Sequence, residues 1–275
     1  MTENTDNIPD LPASEPTHIL TDEECPCVSI NIPCYLRRKF IPLILMNLLQ
    51  MDYPPEKIEC NILQDGPEDL LPNEDLEKFK KTIYPIKLNY KYENNVRRTI
   101  GDKRNQLVKM STHKICACMD SDDIYMPSYL RYSISAMKEF KVGITSSAQM
   151  VFIYPKLDYK ITGIRCGYKR QCHEACMIFT KKHWRSMGGF LSKGKEGNQG
   201  EGVKMIEYND KNMVNLTVTN LMICVCHDGE EGNTINKDRF NEANMDGRLN
   251  LPHLEVLKKI LEDQCPPGGI GSITY

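Results

Sequence analysis

The sequence predicts an α/β fold with a mostly parallel central sheet flanked by helices. Three observations carry that expectation. Short β-rich apolar runs alternate with stretches of helical apolar spacing from about residue 28 to residue 118. The polar breaks at 33–39, at Asp65 and at 120–123 each fall just after an apolar run, where open α/β sheets gather their ligand-binding loops. The 275 residues are 40% hydrophobic and 26% charged, which allows a sizeable core in a soluble globular chain.

Residues 1–25 are polar and lack periodicity, and predict a loosely attached arm, with the fold beginning near Cys27. A strand is expected over 28–32, stopped by Pro33, and a helix over 39–51, closed by Pro54 and Pro55. A second strand over 58–63 runs into the turn Gln64-Asp65-Gly66. Helical spacing over 69–81, a strand over 86–92, a helix over 100–110 and the strand from Ile115 complete the alternation. A helix over 129–140 follows, then strands over 143–154 and 176–180 with longer loops, a last strong strand over 216–226 and a short helix over 254–261. The glycine- and proline-rich residues 263–275 read as a flexible tail. Residues 26–262 then form one domain, with a first half to about 127 and a second from 128.

Lys and Arg number 35 against 37 Asp and Glu, a formal net charge of -2, so nothing favours nucleic acid as a partner. There is no run of 18 or more apolar residues, and residues 1–24 are acidic and proline-containing instead of basic then apolar, which predicts a cytoplasmic protein without a transmembrane segment. The 12 cysteines sit mostly in apolar runs and read as reduced, buried thiols. Cys166, Cys172, His173 and Cys176 lack the paired spacing of a zinc site. Asn215-Leu216-Thr217 is a formal glycosylation sequon inside a strand-like run and reads as structural.

The most informative stretch is the apolar run from Ile115 that ends in Asp120, Ser121, Asp122 and Asp123. Carboxylates crowded at a strand end repel one another unless a cation is near, and Mg2+ or Mn2+ held by one or two carboxylates plus a substrate diphosphate suits so short a cluster. The competing reading is ordinary turn and helix-start chemistry ahead of Pro127. A calcium loop of the EF-hand kind is excluded, because counting from Asp120 its glycine and glutamate positions hold Tyr125 and Arg131.

Between residues 28 and 240 the motifs, in their order and spacing, resemble the GT-A fold (Rossmann-like) family 2 inverting glycosyltransferases. The opening strand with Pro33, Tyr35 and Arg37, the Asp65-Gly66 turn, the helix bearing Lys103, Arg104 and Asn105, and Asp120-Ser121-Asp122-Asp123 carry the likeness. The resemblance implies transfer of a sugar from a nucleotide diphosphate, UDP favoured, to a hydroxyl on a glycan or protein-linked glycan. It implies Asp122 as first metal ligand, Asp120 on metal or ribose, Ser121 among the donor contacts, and Asp123 behind the ligand or facing the sugar. Pro33 and Tyr35 would line a base pocket, Asp65 would accept from the base, and Lys103 or Arg104 would reach base or phosphate. Arg37, Arg38, Arg97 and Arg98 are more exposed candidates for the same anion.

The segment from Cys226 to Thr234 resembles the family's His-Gly and Asn-Thr segment and makes His227 the third expected metal ligand. Gly188-Gly189-Phe190 followed by Gly200-Glu201-Gly202 resembles the acceptor segment, whose base lies in an acidic pair at a helix start. Here the second acid is missing, which leaves Glu201 as the expected base with Glu196 as substitute. Equally, Glu201 suits a helix N-terminus electrostatically. Trp184 and His183 are expected at the acceptor, though a lone tryptophan also suits a core. Residues 192–202 read as a mobile loop that orders over the donor and excludes water. Neither a Gln-x-x-Arg-Trp motif nor membrane helices occur, which favours single addition. Two rivals remain. A sugar nucleotidyltransferase would need a glycine-rich loop where Pro33 to Arg37 has none, and a silent sugar-nucleotide- or glycan-binding module would explain the incomplete acceptor motif.

Overall fold

The computed structural model describes residues 13–165, 172–206, 213–227 and 252–262. The elements are, in order, β1 (Val28–Tyr35), α1 (Ile41–Leu49), β2 (Ile58–Gly66), α2 (Asn73–Ile83), β3 (Lys87–Asn94), α3 (Ile100–Met110) and β4 (Ile115–Cys118). Then come β5 (Ile124–Tyr125), α4 (Tyr129–Glu139), β6 (Ile144–Ser146), β7 (Gln149–Tyr154), β8 (Lys160–Arg165) and β9 (Ile178–Thr180). The chain continues through α5 (Lys181–Met187), α6 (Val203–Ile206), β10 (Met213–Asn215), β11 (Met222–Val225) and α7 (His253–Leu261).

Seven strands form the main sheet in the order β10-β6-β9-β4-β1-β2-β3. All its neighbours pair parallel except β9, which runs antiparallel between β4 and β6. The central strands β1 and β2 are buried along almost their whole length, and the polar side chains they carry inside, Ser29, Asn31, Glu59 and Asn61, hydrogen-bond to one another. At the edge, β3 carries Lys87, Lys91 and Glu93, which discourages pairing with another chain. A second sheet, β5-β11-β7-β8, begins immediately after the aspartates. Its apolar face joins α1 and α7 in a cluster of Leu43, Met46, Ile223, Val225, Val256, Leu257 and Ile260.

Four expectations need correction. β1 passes through Pro33 to Tyr35. On the β4 side its ladder ends where Met119 N–H donates to the Asn31 carbonyl at 3.0 Å, so the N–H that Pro33 lacks would have had no strand partner there. The single strand expected over 143–154 is two strands in different sheets, because Ser147 Oγ donates to the Leu216 carbonyl at 2.8 Å and Ala148 N–H to Asn215 Oδ1 at 2.7 Å, bending the chain between them. Within the expected arm, residues 1–12 lie outside the described residues, and residues 13–25 are docked. There Leu20 is 5% exposed, its N–H donates to Ser135 Oγ at 3.0 Å, and its carbonyl accepts from Arg131 Nη1 at 2.6 Å. The strand expected over 216–226 is confined to β11, and the tail over 263–275 lies outside the described residues.

Candidate active site

At the carboxyl ends of β1, β2 and β4 the chain turns into a cavity of about 710 Å³, within the size range of small-molecule sites. β1 delivers Pro33, Tyr35 and Arg37 to it. β2 ends at Gly66, whose φ of +101° is open to glycine, and a Cβ there would stand 2.7 Å from the Tyr35 ring. The glycine thus lets the Tyr35 ring lie against the turn, with the Arg97 guanidinium 3.5 Å over its centre.

α3 starts with Thr99 as its cap, the hydroxyl accepting from Asp102 N–H at 3.2 Å. One turn on, adjacent residues Lys103 and Arg104 are both buried and both aim at carboxylates. Lys103 Nζ reaches Asp65 Oδ1 at 2.8 Å and the Cys34 carbonyl at 3.0 Å. Burial pulls the Lys103 amine below its ordinary value, and Asp65 opposes that pull. Arg104 bridges two walls, with Nε on Glu201 Oε1 at 2.9 Å and Nη2 on the Asp120 oxygens at 2.9 and 3.3 Å.

The three aspartates after β4 have separate surroundings. Asp122 accepts from Arg37 Nε at 2.9 Å and lies 2.9 Å from His227 Nε2. Burial works to raise its pKa, but Arg37 and His227 outweigh it and hold the carboxyl at about 2. Asp120 is raised, first by burial and then by Asp122 and Glu201, against the pull of Arg104. Asp123 is raised well above the ordinary range by burial and the charges of Asp122 and Asp120. It ties the loop down, accepting from Val225 N–H at 2.9 Å through Oδ1 and from Asn47 Nδ2 at 2.9 Å through its carbonyl. Antiparallel pairing of β5 with β11 sets that register and returns the chain to His227, which stacks 4.7 Å from the Phe40 ring.

The opposite wall comes from residues 173–175 ahead of β9 and from 198–201 ahead of α6. Thr99 Oγ1 donates to the Ser192 carbonyl at 2.9 Å, Ile100 N–H to Asn198 Oδ1 at 3.2 Å and Leu191 N–H to the Glu201 carbonyl at 2.8 Å, so the segment expected as a loop over the donor lies fastened across α3. His173 Nε2 is 2.8 Å from Cys224 Sγ, and burial together with Arg104 pushes His173 down to about 4. Cys176 is pushed up to about 11 by burial, which keeps it a thiol.

The glycosyl transferase family 2 profile matches residues 29–191, more than half of the chain. The chain belongs to that family. No curated protein matches the sequence. Among solved structures, the mannosyltransferase PcManGT from Pyrobaculum calidifontis in complex with GDP-Man and Mn2+ superposes with a TM-score of 0.60 at 18% identity, covering 94% of this chain and 72% of its own. The TarS 1-349 fragment of S. aureus in complex with UDP-GlcNAc gives a TM-score of 0.53 at 14% identity, covering 74% of this chain and 59% of its own. Both show the GT-A fold that the sequence predicted, and the chain is a glycosyltransferase.

Of the residues expected in the site of this glycosyltransferase, Pro33, Tyr35, Arg37, Arg97, Lys103, Arg104, Asp120, Ser121, Asp122, Asp123 and Glu201 line the same cavity. Seven do not. Asp65 is 0% exposed beneath the cavity, its oxygens taken by Lys103 and by Arg98 N–H at 2.6 Å. His227 is 2% exposed behind Asp122. Trp184 packs beside α3, its Nε1 donating to Asn105 Oδ1 at 3.0 Å, and Glu196 is exposed to solvent away from the lining. His183 is buried with Nε2 2.7 Å from the Met205 carbonyl. Arg38 and Arg98 are paired elsewhere, with Asp75 at 2.7 Å and with Glu93 and Asp102 at 2.5 and 2.6 Å. Sequence reasoning missed Glu174 and His173, whose local stretch offered only an unconvincing zinc pattern.

Among the described residues no three His, Cys, Asp or Glu form a ready-made metal cluster, and no helix is long and apolar enough to cross a membrane. Two cavity-facing carboxylates, Asp120 and Asp122, one of them held anionic, nonetheless fit an ion that takes one or two protein oxygens and completes its shell with phosphates and water.

Proposed function

We infer that this glycosyltransferase is a metal-dependent inverting enzyme that moves a sugar from a nucleotide diphosphate, UDP first, to a hydroxyl of a glycan or protein-linked glycan. One observation carries the reading. Asp122 faces the cavity as an anion, at about 2, fixed by Arg37 and His227. Asp120 and Asp122 would hold Mn2+ or Mg2+, with His227 orienting Asp122 from behind. The bound ion would act as a Lewis acid on the departing diphosphate.

The chain's own residues supply the rest. Arg37 and Arg104 are the cavity cations nearest the aspartates and offer guanidinium donors to phosphate oxygens. Tyr35 and Pro33 give a flat wall for the base, and the Asp65–Lys103 pair beneath supports it. Inversion requires the acceptor proton to leave on the face opposite the diphosphate, to a carboxylate of the far wall. Glu201 lies on that wall, and Glu196 lies off it. Neighbouring structures with GDP-Man and Mn2+ and with UDP-GlcNAc support a nucleotide-sugar donor and a divalent ion. Cys34, Cys60, Cys116, Cys118, Cys176 and Cys224 are free, buried thiols, which suits a reducing cytosol.

The experiment is a melting-temperature screen of UDP-, GDP- and dTDP-sugars with and without Mn2+, since a ligand bound only by the native state raises the midpoint. A Mn2+-dependent rise with a UDP-sugar is expected; a rise with GDP-sugars only would move the donor, and none with any would sink the reading. The second acid missing at Gly202 favours a silent binding module as the alternative. Metal-dependent donor hydrolysis separates the two.

A further inference from the structure

The acidic pair that the acceptor segment lacks in sequence is completed in space from another part of the chain. Gly200-Glu201-Gly202 holds glycine where the second acid would stand. Gly202 is not among the glycines with left-handed φ, so its backbone would accept a side chain. What forbids one is occupancy. A Cβ on Gly202 would collide with the Glu174 side chain at its Cγ and stand 2.9 Å from Met177 Cε. Glu174 therefore fills the volume that a residue 202 side chain would use.

The two acids of this wall differ in their partners. Glu201 is 5% exposed and gives Oε1 to Arg104 Nε at 2.9 Å. Glu174, in the short turn Glu174–Cys176 before β9, also lines the cavity but has no ion pair among the described residues. The charged and titratable groups that act on it are Glu201 from ahead of α6 and Arg104 from α3, with His173 next to it on its own turn. Burial, then the Glu201 charge, push the Glu174 carboxyl up to about 7, where a base near neutral pH works best.

We propose that Glu174 is the catalytic base for the acceptor hydroxyl, and that Glu201, fixed by Arg104, is the positioning residue beside it. This rests on the transferase reading and replaces Glu201 in the role of base. As the acceptor oxygen bonds to the anomeric carbon, its proton passes to a Glu174 carboxylate oxygen. The bond from that carbon to the diphosphate oxygen breaks, and its electron pair leaves with the nucleoside diphosphate.

The test compares the full chain with Glu174→Gln, Glu174→Ala and the double variant Glu174→Ala/Gly202→Asp. Two readouts are taken, the melting shift with a UDP-sugar and Mn2+, and release of UDP with p-nitrophenyl glycosides or with water alone as acceptor. Glu174→Gln should keep the donor-induced shift, lose kcat by roughly 10²- to 10⁴-fold, and lose the acid limb of the wild-type pH profile near neutrality. Gly202→Asp should recover about tenfold or more of the activity lost in Glu174→Ala, because truncation vacates the space beside position 202 and the new carboxylate restores the base. A Glu174→Gln enzyme within about threefold of wild type, its acid limb intact, overturns the assignment and leaves the transferase reading standing. Wild-type protein that neither binds nor turns over any donor overturns both. A structural role for Glu174 would show as a lost melting shift with no rescue by Gly202→Asp, and would also overturn the proposal.

Discussion

On the wall built by β1, β4 and α3, cations sit beside the carboxylates at the strand ends: Arg104 beside Asp120, Arg37 beside Asp122, and Lys103 beside Asp65 in the layer beneath. On the facing wall, Glu201 shares Arg104 with the first wall, and Glu174 stands next to another carboxylate with no ion pair among the described residues. The consequence is a division of proton affinity. Asp122 is held near 2 and stays charged at any working pH, whereas Glu174 at about 7 can both take and hold a proton. In the proposed reaction the first wall would hold a cation against the donor phosphates with fixed negative charge, and the second would accept a proton through an acid left partly uncompensated.

The largest expected effect tests the first wall. Asp122→Ala should lower transfer by about 10²- to 10³-fold, the scale of losing one preorganised transition-state contact, and should abolish the Mn2+-dependent melting shift. The circular dichroism spectrum should be unchanged, because Asp123 keeps its bonds from Val225 N–H and Asn47 Nδ2 and still holds the loop. Unchanged turnover would break the comparison at its strongest point.

Next is the layer beneath. Asp65 is 0% exposed, and Lys103→Met removes the one amine in contact with it. Leaving that buried carboxylate without Lys103 should cost about 3–5 kcal/mol in urea unfolding, whereas Lys103→Met with Asp65→Asn should recover much of the loss. A loss below about 1 kcal/mol would show that Arg98 N–H and Arg97 carry the charge unaided.

How far these walls were legible in the sequence follows from how local their causes are. The strand exits near Asp65 and Asp120 could be read because periodicity and punctuation are local signals, and eleven of the expected residues meet in the cavity. What could not be read depends on distant pairs. Pro33 stops a strand only if its N–H side is needed, and the ladder with β4 ends before it. The polar segment 13–25 docks because Arg131, far away in α4, receives Leu20 and Asp22. Asp65 looked like a ligand contact because nothing local shows Lys103 underneath it. Trp184 had no local sign that Asn105 would take its indole N–H, nor Glu174 that Gly202 would leave it room.

The smallest expected effect asks whether the second wall stands by itself or is held by the first. Thr99 is the joint: one hydroxyl caps α3 at Asp102 N–H and donates to the Ser192 carbonyl at the start of the segment that carries Asn198 and Glu201 into the cavity. Thr99→Val keeps the shape and removes both bonds. The cap alone should cost about 1 kcal/mol of stability. If the segment also shields the donor from water, freeing its first attachment should raise the share of donor lost to hydrolysis while leaving Mn2+-dependent donor binding intact, because Asp120 and Asp122 lie on the wall that has not moved. A stability loss with an unaltered ratio of hydrolysis to transfer would mean that Ile100 N–H on Asn198 and Leu191 N–H on the Glu201 carbonyl suffice to hold the wall. The Arg104 bridge between Glu201 and Asp120 would then relate donor charge to the acceptor side, beside the Tyr125 hydroxyl that joins Asp120 N–H to the Ala175 carbonyl, which makes Arg104→Lys, unable to span both carboxylates with one planar fork, the sharper probe of that link.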